Sequence, residues 1–366
     1  QGKWKLGLVG FIRKGKPRRY VIMGNIQKQF LDYHADIKLD DENKILREKR
    51  EIILTKLKNK IDSSAPTYTP FVQGSYAMST GIKPINGEYD IDVGLFFDMS
   101  KEDYDDPVEA KRWVYDALNG YPHNVEMKTP CVTVTYKENG QPAFHVDLTI
   151  YSANNPDGKI YLAKGRLNSS PENKFWEESD PKRLSSIIRD HCENDEDRAQ
   201  FRRVIRYLKR WKDLKFPATG HAAPTGIALT VAAINYFSPV SELVDIFANK
   251  RAYNDLVAFK NFLNNLINAF QWVEKDDGSL VERLVVNVPT PIYNDLFERM
   301  TDTQMANFKT KLIGLRDTLM EAEAEVDPVE ACKILQKKLD PSFPVPPKEE
   351  TGKRKAMAIT TGSSSA

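Results

Sequence analysis

A chain of 366 residues, 41% hydrophobic and 28% charged, is long enough to bury a sizeable core in two lobes, and it contains no apolar run that approaches a membrane span. The formal net charge of +2 conceals an asymmetry, because residues 1–22 carry seven Lys or Arg and no acid, leaving 46 bases against 51 acids in the rest. So acidic a body argues against wrapping long nucleic acid, whose affinity rests on neutralising many phosphates, and leans towards small nucleotides.

The basic stretch 1–22 places its main charge cluster after a short apolar patch, the reverse of a secretory signal. It reads as non-native or upstream leader sequence, with Met23 as the natural start. A short helix is expected over Asn25–Tyr33 and a long one over Asp41–Ile61, where Ile45, Leu46, Ile53, Leu57 and Ile61 recur at helical spacing. Asp40 or Asp41 is placed to cap the long helix, and Ser63-Ser-Ala-Pro66 ends it. Three dispersed cysteines, Cys131, Cys192 and Cys332, show no paired spacing, so they suggest neither a zinc ribbon nor a disulfide framework and fit a reducing cytoplasm.

A strand-like run from Tyr68 to Gln73 closes on Gly74-Ser75, a small-residue segment follows, and Asp90-Ile-Asp92 then enters the apolar run Val93–Phe97. In a strand Asp90 and Asp92 project to one face while Ile91, Val93 and Leu95 take the other. Two adjacent carboxylates repel, and a hard divalent cation such as Mg²⁺ relieves that repulsion while also accepting phosphate oxygens. Gly74-Ser75 at the strand exit lets backbone approach a phosphate and adds a hydroxyl donor. An Asp-x-Asp pair alone is common and often structural. A third acid, Asp147, sits in Ala143–Ile150, where Phe144, Val146, Leu148 and Ile150 alternate with His145, Asp147 and Thr149. An ionised Asp in so apolar a strand is costly without a partner, and three acids on neighbouring strands suit a two-metal site.

Between the acid strands, Pro107–Leu118 reads as a surface helix, and Cys131–Tyr136 as a strand joined through the hairpin signal Asn139-Gly140 to the Asp147 strand. Residues 152–182 are loop-rich. In the helix from Asp195 to Lys212, Phe201, Val204, Ile205 and Leu208 form the apolar stripe, and Arg202, Arg203, Arg206 and Arg210 mostly lie away from it. Lys209 falls at the stripe's edge, so it is either a snorkelling lysine with a buried stem or a phosphate clamp. Pro224-Thr225 opens a nearly wholly apolar helix; Thr225 either caps it or donates to a phosphate at its N-terminus. One or two further helices are expected over Leu243–Phe270, a Pro-rich crossing over Val285–Asp295, and helices over Thr303–Val326 and Pro328–Leu339. The tail from Pro341 lacks periodicity and is expected to be largely disordered.

Gly74-Ser75, fourteen intervening residues, Asp90-Ile-Asp92 and Asp147 in a His-Val-Asp-Leu strand resemble the polymerase-β-like nucleotidyltransferases. More narrowly, the Arg-Tyr-Leu-Lys209-Arg-Trp helix, the apolar helix after Pro224 and the Val-Pro-Thr-Pro-Ile-Tyr-Asn-Asp crossing resemble the bacterial cGAS/DncV-like nucleotidyltransferases (CD-NTases) of CBASS antiphage systems over roughly residues 23–340. The resemblance implies an α+β fold: a catalytic lobe with a mixed sheet and long spine helix (23–182), a helical lobe (183–340) and a disordered tail (341–366). It implies that Asp90 and Asp92 hold two Mg²⁺ ions, with Mn²⁺ as a substitute, that Asp147 completes one of them, and that Gly74, Ser75, Lys209 and Thr225 bind nucleotide. The implied product is a cyclic di- or trinucleotide second messenger made from NTPs and read by a downstream effector, in the cytoplasm and away from membranes. A ubiquitin-like E1/E2 partner conjugates the tails of many such enzymes, and the end Gly362–Ala366 would permit it. The animal DNA sensor of the group carries a zinc-binding insertion, and the absence of clustered Cys and His argues against DNA activation. The rival readings are a template-independent nucleotidyltransferase acting on RNA, a small molecule or a protein, and a non-catalytic nucleotide sensor.

Overall fold

The computed structural model describes residues 25–39, 43–120, 124–138, 141–217, 220, 222–248 and 250–348. Residues 1–22 (read as a leader), Met23, the candidate caps Asp40 and Asp41, the Asn139-Gly140 pair and the end Gly362–Ala366 lie outside the described residues. The chain begins with helices α1 (Gln27–Ile37) and α2 (Asn43–Lys60), then β1 (Tyr68–Val72), the single-turn α3 (Gly74–Ala77), β2 (Tyr89–Phe97), α4 (Pro107–Leu118), β3 (Asn124–Met127), β4 (Val132–Glu138) and β5 (Gln141–Ser152). β6 (Tyr161–Lys164) and β7 (Phe175–Glu178) follow, then α5 (Pro181–Arg189), α6 (Asp195–Lys215), α7 (Gly226–Tyr236), β8 (Ser241–Asp245), β9 (Lys250–Tyr253) and α8 (Asp255–Asn268). β10 (Gln271–Glu274), β11 (Leu280–Arg283), α9 (Asp302–Ala324) and α10 (Pro328–Lys338) complete it.

The main sheet runs β1-β2-β5-β4-β3, with β6 and β7 continuing from the end of β5. β2 and β5 are parallel and set Asp92 opposite Asp147; the other described pairings of this mixed sheet are antiparallel. Antiparallel neighbours need a short turn, whereas the parallel pair needs a crossover, here supplied by α4 and the β3–β4 hairpin. Asp106 caps α4, accepting from Val108 N, and Pro107 occupies its first turn. Val108, Ala110, Val114 and Leu118 of α4 meet Leu46, Ile53 and Leu57 of α2 and the sheet's Ile91, Val93, Val146 and Leu148 in one core. The α+β reading therefore holds, and α2 is the long helix behind the sheet.

A second core gathers α6, α7, α8, α9 and α10, and it recruits α1: Phe30, Tyr33 and Ile37 are buried among Phe201, Tyr207 and Phe259. The Tyr33 and Tyr207 rings stack at 5.6 Å. The 23–182 lobe expected from sequence does not match this packing, because α1 contributes its buried face to the helical part. Phe343 is fully buried in the same core and Asp340 pairs with Arg210 at 3.0 Å, so packed structure continues beyond Pro341, where the tail was expected to start. Residues 241–253 form the β8–β9 hairpin where a helix was expected, its apolar side chains pointing outward: Phe247 is 103% and Ile246 78% exposed. Among the described residues no helix is long and apolar enough to cross a membrane.

Candidate active site

The parallel register of β2 and β5 is what brings the acids together. Asp92 and Asp147 are direct partners, and Asp90 lies two residues back on the same face. All three line one cavity of about 570 Å³, with Gly74, Ser75 and Lys209. Burial, then the charges of Asp147 and Asp90, push the Asp92 carboxyl up to about 7. Asp90 is raised as well, by burial and then by Asp147. Thr133 on β4 donates to Asp147 Oδ1 at 2.5 Å, fixing that carboxylate on the sheet.

Gly74 is required by two constraints at once. Its φ is +72°, and a Cβ built there would stand 1.8 Å from Asp92 Oδ2. The backbone leaving β1 is thus pressed against the carboxylate, which puts the following Ser75 at the cavity. Gln73 anchors the approach: its backbone N donates to Asp92 O at 3.1 Å, its side chain donates to Thr149 Oγ1 at 2.7 Å, and its Oε1 accepts from Tyr151 at 3.2 Å.

Lys209 reaches the cavity from α6. It is 6% exposed, and its Nζ donates to Thr80 Oγ1 at 3.0 Å and Thr80 O at 3.3 Å. Burial, then Arg206 and Lys212, push its pKa down to about 7. Gly226 in the first turn of α7 lies beside the lysine stem, where an added Cβ would be 3.6 Å from Lys209 Cε. Thr225 behaves as a cap, accepting from Ala228 N at 3.2 Å, and is not among the residues lining the cavity; Gly226, Ile227 and Thr230 line it instead. The arginines read as lying away from the α6 stripe depart from that pattern: Arg206 is 5% exposed and Arg203 pairs with the fully buried Asp255 at 2.6 Å.

Sequence reasoning missed several residues. Thr149 and Tyr151 share the Asp147 face by simple alternation, so that signal was present, and Gln73 immediately precedes Gly74. Thr133 depends on the β4–β5 register, which the residue types do not announce. The opposite wall comes from Glu177–Pro181, Leu184 and Ser185, and from Val288, Thr290–Ile292 and Asn294 of the Pro-rich crossing.

Residues 69–151 match the family described as cyclic GMP-AMP synthase DncV-like, nucleotidyltransferase domain. This segment is similar in sequence to the DncV-like nucleotidyltransferase domains. A cyclic GMP-AMP synthase of Escherichia albertii is 33% identical over 171 residues, 44% of this chain, and the match spans 35% of that relative's length. In solved structures, the Vibrio cholerae DncV cyclic AMP-GMP synthase superposes with a TM-score of 0.62 at 18% identity, covering 87% of this chain and 97% of that one. The Bradyrhizobium diazoefficiens CD-NTase CdnG, solved with GTP, gives 0.63 at 14% identity, covering 87% and 96%. These structural likenesses carry the fold across both halves of the chain, while the sequence match of the DncV-like domain spans β1 to β5, the strands that bear the acids.

Proposed function

We propose that the chain is a divalent-metal-dependent nucleotidyltransferase that joins NTPs into a cyclic di- or trinucleotide, a second messenger in antiphage defence in the cytoplasm. The observation that carries this reading is the convergence of Asp90, Asp92 and Asp147 in one cavity with Gly74-Ser75 on one side and buried Lys209 on the other. The relatives named cyclic GMP-AMP synthase support the product class.

The donor set suits Mg²⁺. Three carboxylates are hard oxygen ligands, and Asp90 and Asp92 are raised by burial first and then by the charge of Asp147, an unfavourable setting that a cation would relieve. When bound, two such ions would lower the pKa of an attacking ribose hydroxyl and stabilise the leaving pyrophosphate. Asp90 and Asp92 would hold both and Asp147 one of them. The Gly74 backbone and Ser75 hydroxyl grip the donor triphosphate, and Lys209 neutralises its charge from α6. Thr133 holds one Asp147 oxygen on the sheet, orienting the carboxylate that lines the cavity. In each step an O–P bond forms at the α-phosphorus as the bond to pyrophosphate breaks, and a second pass through the same cavity closes a cyclic dinucleotide or extends the chain to a trinucleotide.

The test is incubation with each of the four labelled NTPs, singly and mixed, with Mg²⁺ or Mn²⁺, resolving phosphatase-resistant products by mass spectrometry. A resistant cyclic species made by the parent and absent from D90A/D92A is expected, with the variant still folded because surplus negative charge has been removed. Synthesis retained in that variant would overturn the assignment of the acids, and extension of an RNA primer would replace the cyclic product with an RNA-directed activity. Conjugation of the C-terminus by an E1/E2-like partner belongs to the same proposal, and unchanged conjugation after removal of the last residues would refute it.

A further inference from the structure

Lys209 is anchored by a single residue. Both of the hydrogen bonds its Nζ makes among the described residues go to Thr80, to Oγ1 at 3.0 Å and to the carbonyl O at 3.3 Å. An ammonium carries three donors, so one is left for the cavity. On the other side stands the first turn of α7, where a Cβ added to Gly226 would lie 3.8 Å from Nζ. Thr80 is fully buried and is not among the residues lining the nucleotide cavity, so it acts there only through what it holds. Its own place is fixed twice. Thr80 N donates to Ser75 O at 2.9 Å, closing the turn that opens with Gly74. Arg206, one turn before Lys209 on α6, donates to Gly81 O at 3.0 Å and to Ser79 O, the carbonyls on either side of Thr80. Three successive carbonyls, Ser79, Thr80 and Gly81, are thus gripped by two cations of one helix.

What the Thr80 hydroxyl prevents follows from the charge nearby. Asp92 lines the same cavity as Lys209, and its charge acts on the lysine, yet among the described residues no ion pair joins the two. A buried ammonium beside a buried carboxylate is drawn to pair with it, because each is otherwise short of a counter-ion. An ammonium seated on Asp92 would turn away from a bound triphosphate and occupy a carboxylate assigned to metal. Thr80 Oγ1 supplies the competing acceptor, at the shorter of the two distances. We propose that Thr80 is a positioning residue: its hydroxyl holds the Lys209 ammonium off Asp92 and aims the remaining N–H at the triphosphate of the bound nucleotide. The aim at a triphosphate rests on the nucleotidyltransferase reading; the hold on Lys209 does not.

Two double-mutant cycles on the full chain test the two halves separately, using the parent, T80V, K209M and T80V/K209M, with T80S as the conservative variant. The first reads thermal melts without nucleotide. T80V should lower the melting temperature of the parent, because a buried ammonium loses its nearer acceptor, and should change that of K209M little, because no ammonium remains to be held. An equal loss in both backgrounds would make Thr80 merely structural and overturn the hold. The second cycle reads the affinity for fluorescent, non-hydrolysable analogues of ATP and GTP with Mg²⁺. T80V should bind about tenfold or more weakly, the scale of a lost hydrogen bond to a charged group, T80S should stay close to the parent, and T80V should cost nothing further in K209M. T80V binding as tightly as the parent would overturn the aim, and tighter binding would show that Thr80 competes with the triphosphate for the ammonium. T80S as weak as T80V would overturn the role of the hydroxyl. K209M binding as well as the parent, or a parent that binds neither analogue, would be a failure of the enzymatic reading, which the melts do not depend on.

Discussion

At the scale of single residues, the candidate site turns on close approaches that tolerate no added atoms. Gly74→Ala places a methyl 1.8 Å from Asp92 Oδ2 on a backbone with φ +72°, so the turn or the carboxylate must move by more than 1 Å. Misplacement on that scale costs about 100-fold in kcat/KM. Steady-state kinetics of nucleotide incorporation check this, and near-parent activity would mean that the Gly74–Asp92 approach is not needed for chemistry. Thr133→Val keeps the shape of β4 but removes the 2.5 Å bond to Asp147. A hydrogen bond to a charged group is worth about 1.5–3 kcal/mol, so kcat should fall about tenfold or more with little change in KM, since the contact orients an acid and does not hold the triphosphate. A rise in KM at constant kcat would instead place Thr133 in ground-state binding. The two residues differ in legibility for a physical reason. Gly74 announces itself because a glycine next to a serine at a strand exit has few other uses. Thr133 is one threonine among several on β4, and its partner is fixed by a register that depends on the whole hairpin.

At the scale of elements, alternation and helical periodicity tell which face of a segment is apolar, and they do not tell what that face meets. The acid strands were readable because an acid every second residue in an apolar run has one geometric solution. The β8–β9 hairpin was not, because Leu243, Val244, Ile246 and Phe247 are exposed, and their density imitates a buried helical stripe. α1 shows the same limit: its apolar stripe is plain, but only the packing reveals that it faces α6 and not the sheet. α6 carries the clearest consequence. Lys209 has its pKa pushed below the usual lysine value to about 7 by burial, so between about 7 and 10.5 the unfolded chain binds the proton more tightly than the folded one. Stability therefore rises with pH across that window. Lys209→Met should stabilise the fold near neutral pH by on the order of one to a few kcal/mol and so raise the melting temperature, with the gain shrinking towards pH 10. The same variant should weaken NTP binding, because the cation facing the triphosphate is gone. Thermal melts of both proteins from pH 7 to 10 check the first effect, and parallel curves would show that Lys209 pays no burial cost.

At the scale of the whole molecule, the first and last described helices are tied into one helical core through buried acids. Asp255, at the first turn of α8, is fully buried and accepts from Arg203, Gln200 and Tyr207, while its own backbone N donates to Gln27 of α1 at 2.7 Å. Asp340 after α10 similarly accepts from Tyr33 of α1 and Arg210 of α6. Burial alone would raise both carboxyls, but hydrogen bonds and the facing arginines outweigh it and leave each below its usual range. For a depressed carboxyl, the stability it confers is fully present above the unfolded value of 3.8 and is lost as pH falls through the lower folded value. Asp255→Asn removes that contribution and leaves Arg203 buried without its counter-ion, a change that costs about 3–5 kcal/mol in comparable sites. The variant should therefore unfold at lower denaturant at neutral pH and lose less stability than the parent as pH falls below 3.8, and denaturant titrations at neutral pH and on either side of 3.8 measure both effects. If the gap between variant and parent did not narrow on acidification, the ionised form of Asp255 would not be what joins α1 to α6 and α8. The tie bears on the candidate site because α6 carries Lys209 and Arg206 to the turn after Gly74-Ser75. A loosened Asp255 network should therefore raise KM for NTP before it unfolds the chain, and measuring KM in Asp255→Asn at a temperature well below its melting point tests that coupling.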